Sequence, residues 1–200
     1  MLGSAHQRLV YGRRIQVLAR HLTELLPPNA TVLDVGSGDG LLASRVMSAR
    51  PDLQIRGVDV LMRPESFIPV EQFDGVHLPF ANREFDAAMM VDVLHHASEQ
   101  AALLREMARV VNRAVVIKDH VVQGFMAHST LRFMDWVGNV RHGVALPYSY
   151  WTEERWQQGF ASAGLRTASR RDHLGLYPWP ASLLFERGLH FVAVLEPDSR

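Results

Sequence analysis

The stretch that most constrains this chain is "VLDVGSGDGL", Val32 to Leu41. A short apolar run of strand type carries Asp34 near its end, and glycines follow at Gly36, Gly38 and Gly40. Such a turn between a strand and a helix exposes backbone N–H groups and lets a ligand come close. The spacing excludes two familiar ligand turns. The dinucleotide fingerprint needs G-x-G-x-x-G, but here the third glycine comes one place early and Leu41 takes its position. No Gly-Lys-Ser/Thr follows, so the turn is not a P-loop. By itself it does not choose a ligand, since tight turns also use glycine for steric reasons.

The rest of the chain alternates in the manner such a turn requires. Residues 8–26 carry Leu9, Ile15, Val17, Leu18, Leu22 and Leu25 at helical spacing, and Pro27-Pro28 stops that helix. Strands are expected at 31–35, 54–60 and 69–74, from near Phe85, and at 114–122, with helices at 39–49 and 99–111. After Phe125 the pattern changes. "FMAHSTLRFMDWVGNV" reads as a helix and "HGVALPYSYW" as a loop. "TEERWQQGFASAG" reads as a helix capped by Thr152 and closed by Gly164. "RTASRRDHL" and "LHFVAVLE" read as the last two strands. This predicts an α/β fold: a Rossmann-like three-layer αβα sandwich around a mostly parallel seven-stranded sheet with an antiparallel edge strand.

Composition narrows the function. The 200 residues suit one domain, and 48% are hydrophobic, enough for a sizeable core. Acidic and basic residues balance at 21 each, which argues against a nucleic acid held by bulk charge. With no cysteine there are no disulfides, thiolate metal sites or cysteine nucleophile. The N-terminal stretch is charged throughout and lacks a signal-type apolar core. Two prolines and the Glu186-Arg187 pair break the most apolar C-terminal stretch, so no transmembrane segment is expected. A peripheral membrane contact and a homodimer stay open, and the expected location is cytoplasmic.

Two acids sharpen the glycine turn. Asp59 closes the second strand about 20 residues after the turn, where a carboxylate accepts hydrogen bonds from both hydroxyls of a ribose. Asp74, in "FDGVHLPFANREFD", closes the third, where it can accept from an exocyclic amine while the Gly75 and Val76 backbone faces a ring. Three strand ends in succession make one crevice at the usual α/β ligand site.

"VLDVGSGDG", "GVDV", "DGVHLPFANREFD" and "VDVLHH", in this order and spacing, resemble the class I S-adenosylmethionine-dependent methyltransferases of small-molecule type. The likeness runs from about Asn29 to His120. It implies one methyltransferase domain: an N-terminal helix to residue 28, a cofactor-binding half over 29–122 and a substrate-side elaboration over 123–200. It also implies that Gly36, Ser37 and Gly38 pass the methionine part of the cofactor, with Asp34 behind them. Asp59 would hold the ribose, Val60 or Leu61 would pack on adenine, and Asp74 would bind the adenine amine beside Gly75. Asp92 and Val93 would close the methionine side. Two departures stand out. "VNRAV" replaces the "PGG" turn before the fifth strand, and the fourth-strand motif is not the "NPPY" type of enzymes that methylate nucleic-acid amines.

The substrate side is less constrained. Asp92, His95 and His96 are spaced like metal ligands, but "LHH" is a common form of this stretch in the resembling family, so no metal is expected. Lys118, Asp119 and His120 end the fifth strand near the expected acceptor. His120 and His96 are the candidate catalytic bases, against the alternative of a merely solvated strand end. His128 and His142 are further candidates, and Arg132, Arg141 and His142 could receive a carboxylate. Phe125, Met126, Leu131, Phe133, Met134, Trp136 and Val137, with Tyr148, Tyr150 and Trp151, suggest an apolar lid, or else ordinary core plus a dimer contact. The expected reaction is methyl transfer to a small apolar, aromatic or lipid-like acceptor, oxygen slightly favoured, releasing S-adenosylhomocysteine. The alternatives are a non-catalytic cofactor-binding partner protein and, third, a dinucleotide oxidoreductase.

Overall fold

The computed structural model describes residues 2–139 and 147–198. Their order is α1 (Leu2–Leu25), β1 (Thr31–Val35), α2 (Leu41–Ala49), β2 (Gln54–Asp59), β3 (Val70–Gln72) and β4 (Phe85–Val91). A 3-10 turn (Leu94–His96) follows, then α3 (Gln100–Val110), β5 (Val111–His120), α4 (Ala127–Asn139), α5 (Glu153–Ser162), β6 (Leu165–Arg171), α6 (Ser182–Phe185) and β7 (His190–Pro197).

The seven strands form one sheet in the order β3-β2-β1-β4-β5-β7-β6. The pairs β1–β2, β1–β4, β2–β3 and β4–β5 are parallel. The antiparallel strand is β7, set one place in from the edge, where it pairs with β5 on one side and β6 on the other. It returns after β6 as the second arm of a hairpin, and the space beside β5 is the one left for it.

The central strands are apolar on both sides because helices cover both faces of the sheet. Neighbouring residues point to opposite layers. Leu33, Ala88, Met90, Val115 and Ile117 pack with Leu103 and Met107 of α3 and Trp156 and Phe160 of α5. Val32, Ala87, Met89, Ala114 and Val116 pack with Leu18 and Leu22 of α1 and Val46 of α2.

Several bounds differ from expectation for local reasons. Helix α2 starts at Leu41 and not at 39, because Gly38 and Gly40 take positive φ of 61° and 75°. Strand β3 stops at Gln72, since Asp74 turns the chain by accepting the Val76 and His77 N–H groups. Strand β5 begins three residues earlier than expected, because Val111 pairs with Phe85. Thr152 caps α5 as expected, accepting the Arg155 N–H at 3.4 Å. Among the described residues no helix is long and apolar enough to cross a membrane.

Candidate functional site

Strand order reverses between β1 and β4, so the loops after these two strands diverge and leave a crevice at their C-terminal ends. The glycine turn follows β1 on one side, and Asp92-Val93 follows β4 on the other. Gly36 lies against Val93: a Cβ on Gly36 would come within 2.4 Å of a Val93 methyl carbon. A Cβ on Gly38 would meet nothing within 4 Å, so this part of the turn is open. Ser37 tucks its side chain over Gly57 of β2, and its hydroxyl oxygen is buried without a hydrogen-bond partner.

Asp59 sits beside that turn. Its Oδ2 accepts the Gly38 N–H at 2.7 Å and its Oδ1 the Leu61 N–H at 2.9 Å. Each oxygen keeps lone-pair capacity for a further donor. Val60 and Leu61 are exposed next to it, and Gly75 approaches Val60 across the β2–β3 edge. Asp34 lies buried at the end of β1. Burial, and then the nearby Asp59 charge, push its carboxyl up to about 7, so it is poised between charged and neutral near physiological pH.

Asp74 stands two residues beyond β3 and is exposed. His77 holds it twice, through its ring Nδ1 at 2.8 Å and its backbone N–H at 2.7 Å, and Val76 N–H adds a third bond. These contacts lower its carboxyl to about 2. Its first task is therefore to close its own loop, while Oδ2 keeps capacity for one more donor.

On the β4 side the structure brings together residues that the sequence keeps far apart. Asp92 takes a left-handed φ of 57°. Its carboxylate pairs with Arg14 of α1 at 2.5 Å and with the buried Lys118 of β5. Arg14 also donates to the Tyr177 hydroxyl at 3.1 Å. Burial works against the Asp92 charge, but Arg14 and Lys118 outweigh it and hold the carboxyl well below its usual range. Burial also lowers Lys118.

Next to this network lies a second one. His95 donates from Nδ1 to Asp119 at 2.6 Å, and its Nε2 stands 3.4 Å from Asp135 of α4. Burial opposes a charge on His95, yet Asp119 and then Asp135 push its pKa up to about 10. The Tyr150 hydroxyl donates to Asp135 at 2.5 Å. Inward row Ala127-Leu131-Asp135 of α4 brings that carboxylate in.

Both candidate bases sit here. His120 is buried, with its ring centroid 4.6 Å from that of His95 and 4.8 Å from that of His190. Burial and then Lys118 lower its pKa to about 4, so it is neutral at pH 7 and a weak proton acceptor. His96 is half-buried and is also lowered, first by burial and then by His95.

The expected apolar lid turns outward. Phe125, Met126, Phe133, Trp136 and Val137 are exposed, while Ala127 and Leu131 pack on Leu189. Arg132 stacks on Tyr148 at 4.6 Å. His128 reaches the same site, with its ring 5.7 Å from Tyr150. Arg141 and His142 lie outside the described residues.

Arg14, Tyr177, His190, Asp135 and the His95–Asp119 pair are the site members that sequence reading misses. Arg14 did carry a signal, since it shares an i, i+4 row with the core residues Leu18 and Leu22.

Comparison with known proteins bears on the family and the fold. The family model described as "Methyltransferase domain" matches residues 6–169. The fold is similar to a chain of the complex between the Haloferax volcanii Trm112 methyltransferase activator and a methyltransferase. That match has a TM-score of 0.69 at 15% identity and covers 94% of this chain and 91% of the other. It is also similar to the YcgJ protein of Bacillus subtilis (TM-score 0.65, 17% identity, 92% and 99% covered). A third similar structure is the Burkholderia thailandensis 1,6-didemethyltoxoflavin-N1-methyltransferase with its substrate and S-adenosylhomocysteine bound (TM-score 0.65, 16% identity, 93% and 79% covered).

Proposed function

Because this chain belongs to the methyltransferase-domain family, we propose that it transfers the methyl group of S-adenosylmethionine to a small apolar, aromatic or lipid-like acceptor. Oxygen is the favoured acceptor atom, and S-adenosylhomocysteine is the product. The observation that carries this reading is the pairing of the open Gly38 turn with Asp59. The space left open at Gly38, a carboxylate with spare acceptor capacity and the exposed Val60 and Leu61 stand together at one strand edge. That arrangement fits a ribose carrying a flat apolar base.

In this reading Asp59 holds the ribose hydroxyls, Val60 and Leu61 flank the base with Gly75, and Asp74 takes its amine on Oδ2. Gly36, Ser37 and Gly38 let the methionine part pass. Asp34, near its titration midpoint at pH 7, ionises fully beside an ammonium group. Arg14 is 23% exposed and offers its remaining N–H groups to a carboxylate. Asp92 holds that guanidinium at 2.5 Å, and Val93 walls the turn. When bound, the cofactor supplies an electrophilic methyl on a sulfonium, which needs chiefly alignment with the acceptor. His96 and the neutral His120 line the acceptor side, where they orient a hydroxyl and accept its hydrogen bond.

Radiolabelled S-adenosylmethionine tests this directly. The enzyme is mixed with pools of phenols, hydroxylated lipids, amines and carboxylic acids. The expected result is label moved into an organic-extractable product with matching S-adenosylhomocysteine. Tight cofactor binding with no transfer to any pool would instead favour the non-catalytic alternative.

A further inference from the structure

Three buried side-chain atoms lack a hydrogen-bond partner among the described residues: Ser37 Oγ, His95 Nε2 and His96 Nδ1. The first belongs to the glycine turn. The other two are ring nitrogens of adjacent histidines, and His95 Nε2 stands 3.4 Å from the carboxylate of Asp135. One ligand atom from each of His95, His96 and Asp135 lies within 4.8 Å of the other two. We propose that His95, His96 and Asp135 bind one divalent transition-metal ion, of the zinc or iron(II) kind.

The chemistry of the three donors fits. Two imidazoles and one carboxylate are a recurrent ligand set for these ions, with coordination positions left over for a substrate oxygen or water. The 3.4 Å between His95 Nε2 and Asp135 Oδ2 is close to the edge two ligands span around a tetrahedral ion at about 2.0–2.1 Å. The backbone fixes the histidines, because they end the short 3-10 turn behind β4, with His96 N–H bonded to Val93 O at 2.9 Å.

Outer partners are also in place. Metal-binding histidines usually donate their second ring nitrogen to a carboxylate, which fixes the tautomer. His95 does this with Asp119, at 2.6 Å. Asp119 is itself anchored by the Leu94 and His120 N–H groups. Asp135 is oriented by the Tyr150 hydroxyl. Spacing alone gives no reason to expect this site, because the third ligand comes from α4, about forty residues away, and Asp92 turns aside to Arg14 and Lys118. An ion held by these three ligands would keep a position for water or a substrate oxygen. A role there in binding the acceptor oxygen rests on the methyl-transfer reading; the metal site itself does not.

Cobalt(II) is the probe. Tag-free protein is freed of metal with a chelator and titrated with Co2+ while visible absorption is followed, and Zn2+ is then added. The expected result is one Co2+ per chain, displaced by Zn2+. H96Q should weaken uptake more than about 100-fold, and Y150F by about 10- to 100-fold, as for loss of an outer-shell partner. Circular dichroism and melting check that both variants fold. No Co2+ uptake by the natural chain, or equal uptake by H96Q, would overturn the proposal and leave His95 as a buried imidazolium between two carboxylates. Calorimetry with S-adenosylhomocysteine on the same sample separates the two claims. Metal uptake without that binding supports the site and sinks the methyl-transfer reading, whereas binding without metal uptake sinks the site alone.

Discussion

Replacing Asp59 by alanine should weaken S-adenosylhomocysteine binding at least about 100-fold. A hydrogen bond to a charged group contributes about 1.5–3 kcal/mol, so losing two ribose bonds removes about 3 kcal/mol or more, and each 1.4 kcal/mol is a factor of ten. The turn suffers as well, since the Gly38 N–H loses the acceptor it reaches at 2.7 Å. Asp59→Asn should fall between the two, because its amide oxygen still accepts one bond while its NH2 faces a backbone donor. The check is isothermal calorimetry on folded protein. Unchanged affinity in Asp59→Ala would refute the ribose assignment.

The second large effect concerns stability. Asp92→Asn keeps the shape and suits the left-handed φ of 57°, but it removes the charge that Arg14 and Lys118 share. Breaking a buried pair from one side costs about 3–5 kcal/mol. For a chain of this size that corresponds to a melting temperature lower by about 10 °C. The pH dependence identifies the cause. Lys118 is already depressed by burial, and without Asp92 it is depressed further. Between its folded and unfolded pKa values the unfolded state binds the extra proton, so stability rises with pH. The deficit of Asp92→Asn should therefore shrink from pH 7 toward pH 9.5. An equal deficit at both pH values, or almost none at pH 7, would contradict a buried charge cluster.

What the sequence made legible was local. The strand, the three glycines and Asp59 lie within a short span, and backbone sterics and strand-end geometry tie each to its place. Asp74, expected to close the third strand, lies two residues beyond it, and its carboxylate is largely engaged with His77, which spacing does not reveal. The polar network behind β4 was illegible for a different reason. It joins α1, β4, β5, α4 and the segment after β6, and its pairs are up to 163 residues apart. Only the fold brings such groups together. Lys118-Asp119-His120 looked like a solvated strand end. It is buried because β7 pairs along β5 as far as His190 opposite His120. The aromatic residues of α4 misled in the opposite sense: bulk suggested burial, but Phe133 and Trp136 lie on the outer face.

The central claim is that the crevice between β1 and β4 holds S-adenosylmethionine and not a dinucleotide. Calorimetric titration of the natural chain with S-adenosylmethionine, S-adenosylhomocysteine and NAD tests it most directly. The account predicts saturable one-to-one binding of the first two and no heat from NAD. Failure of both S-adenosyl compounds to bind at about 1 mM, where binding would need only about 4 kcal/mol, would contradict it.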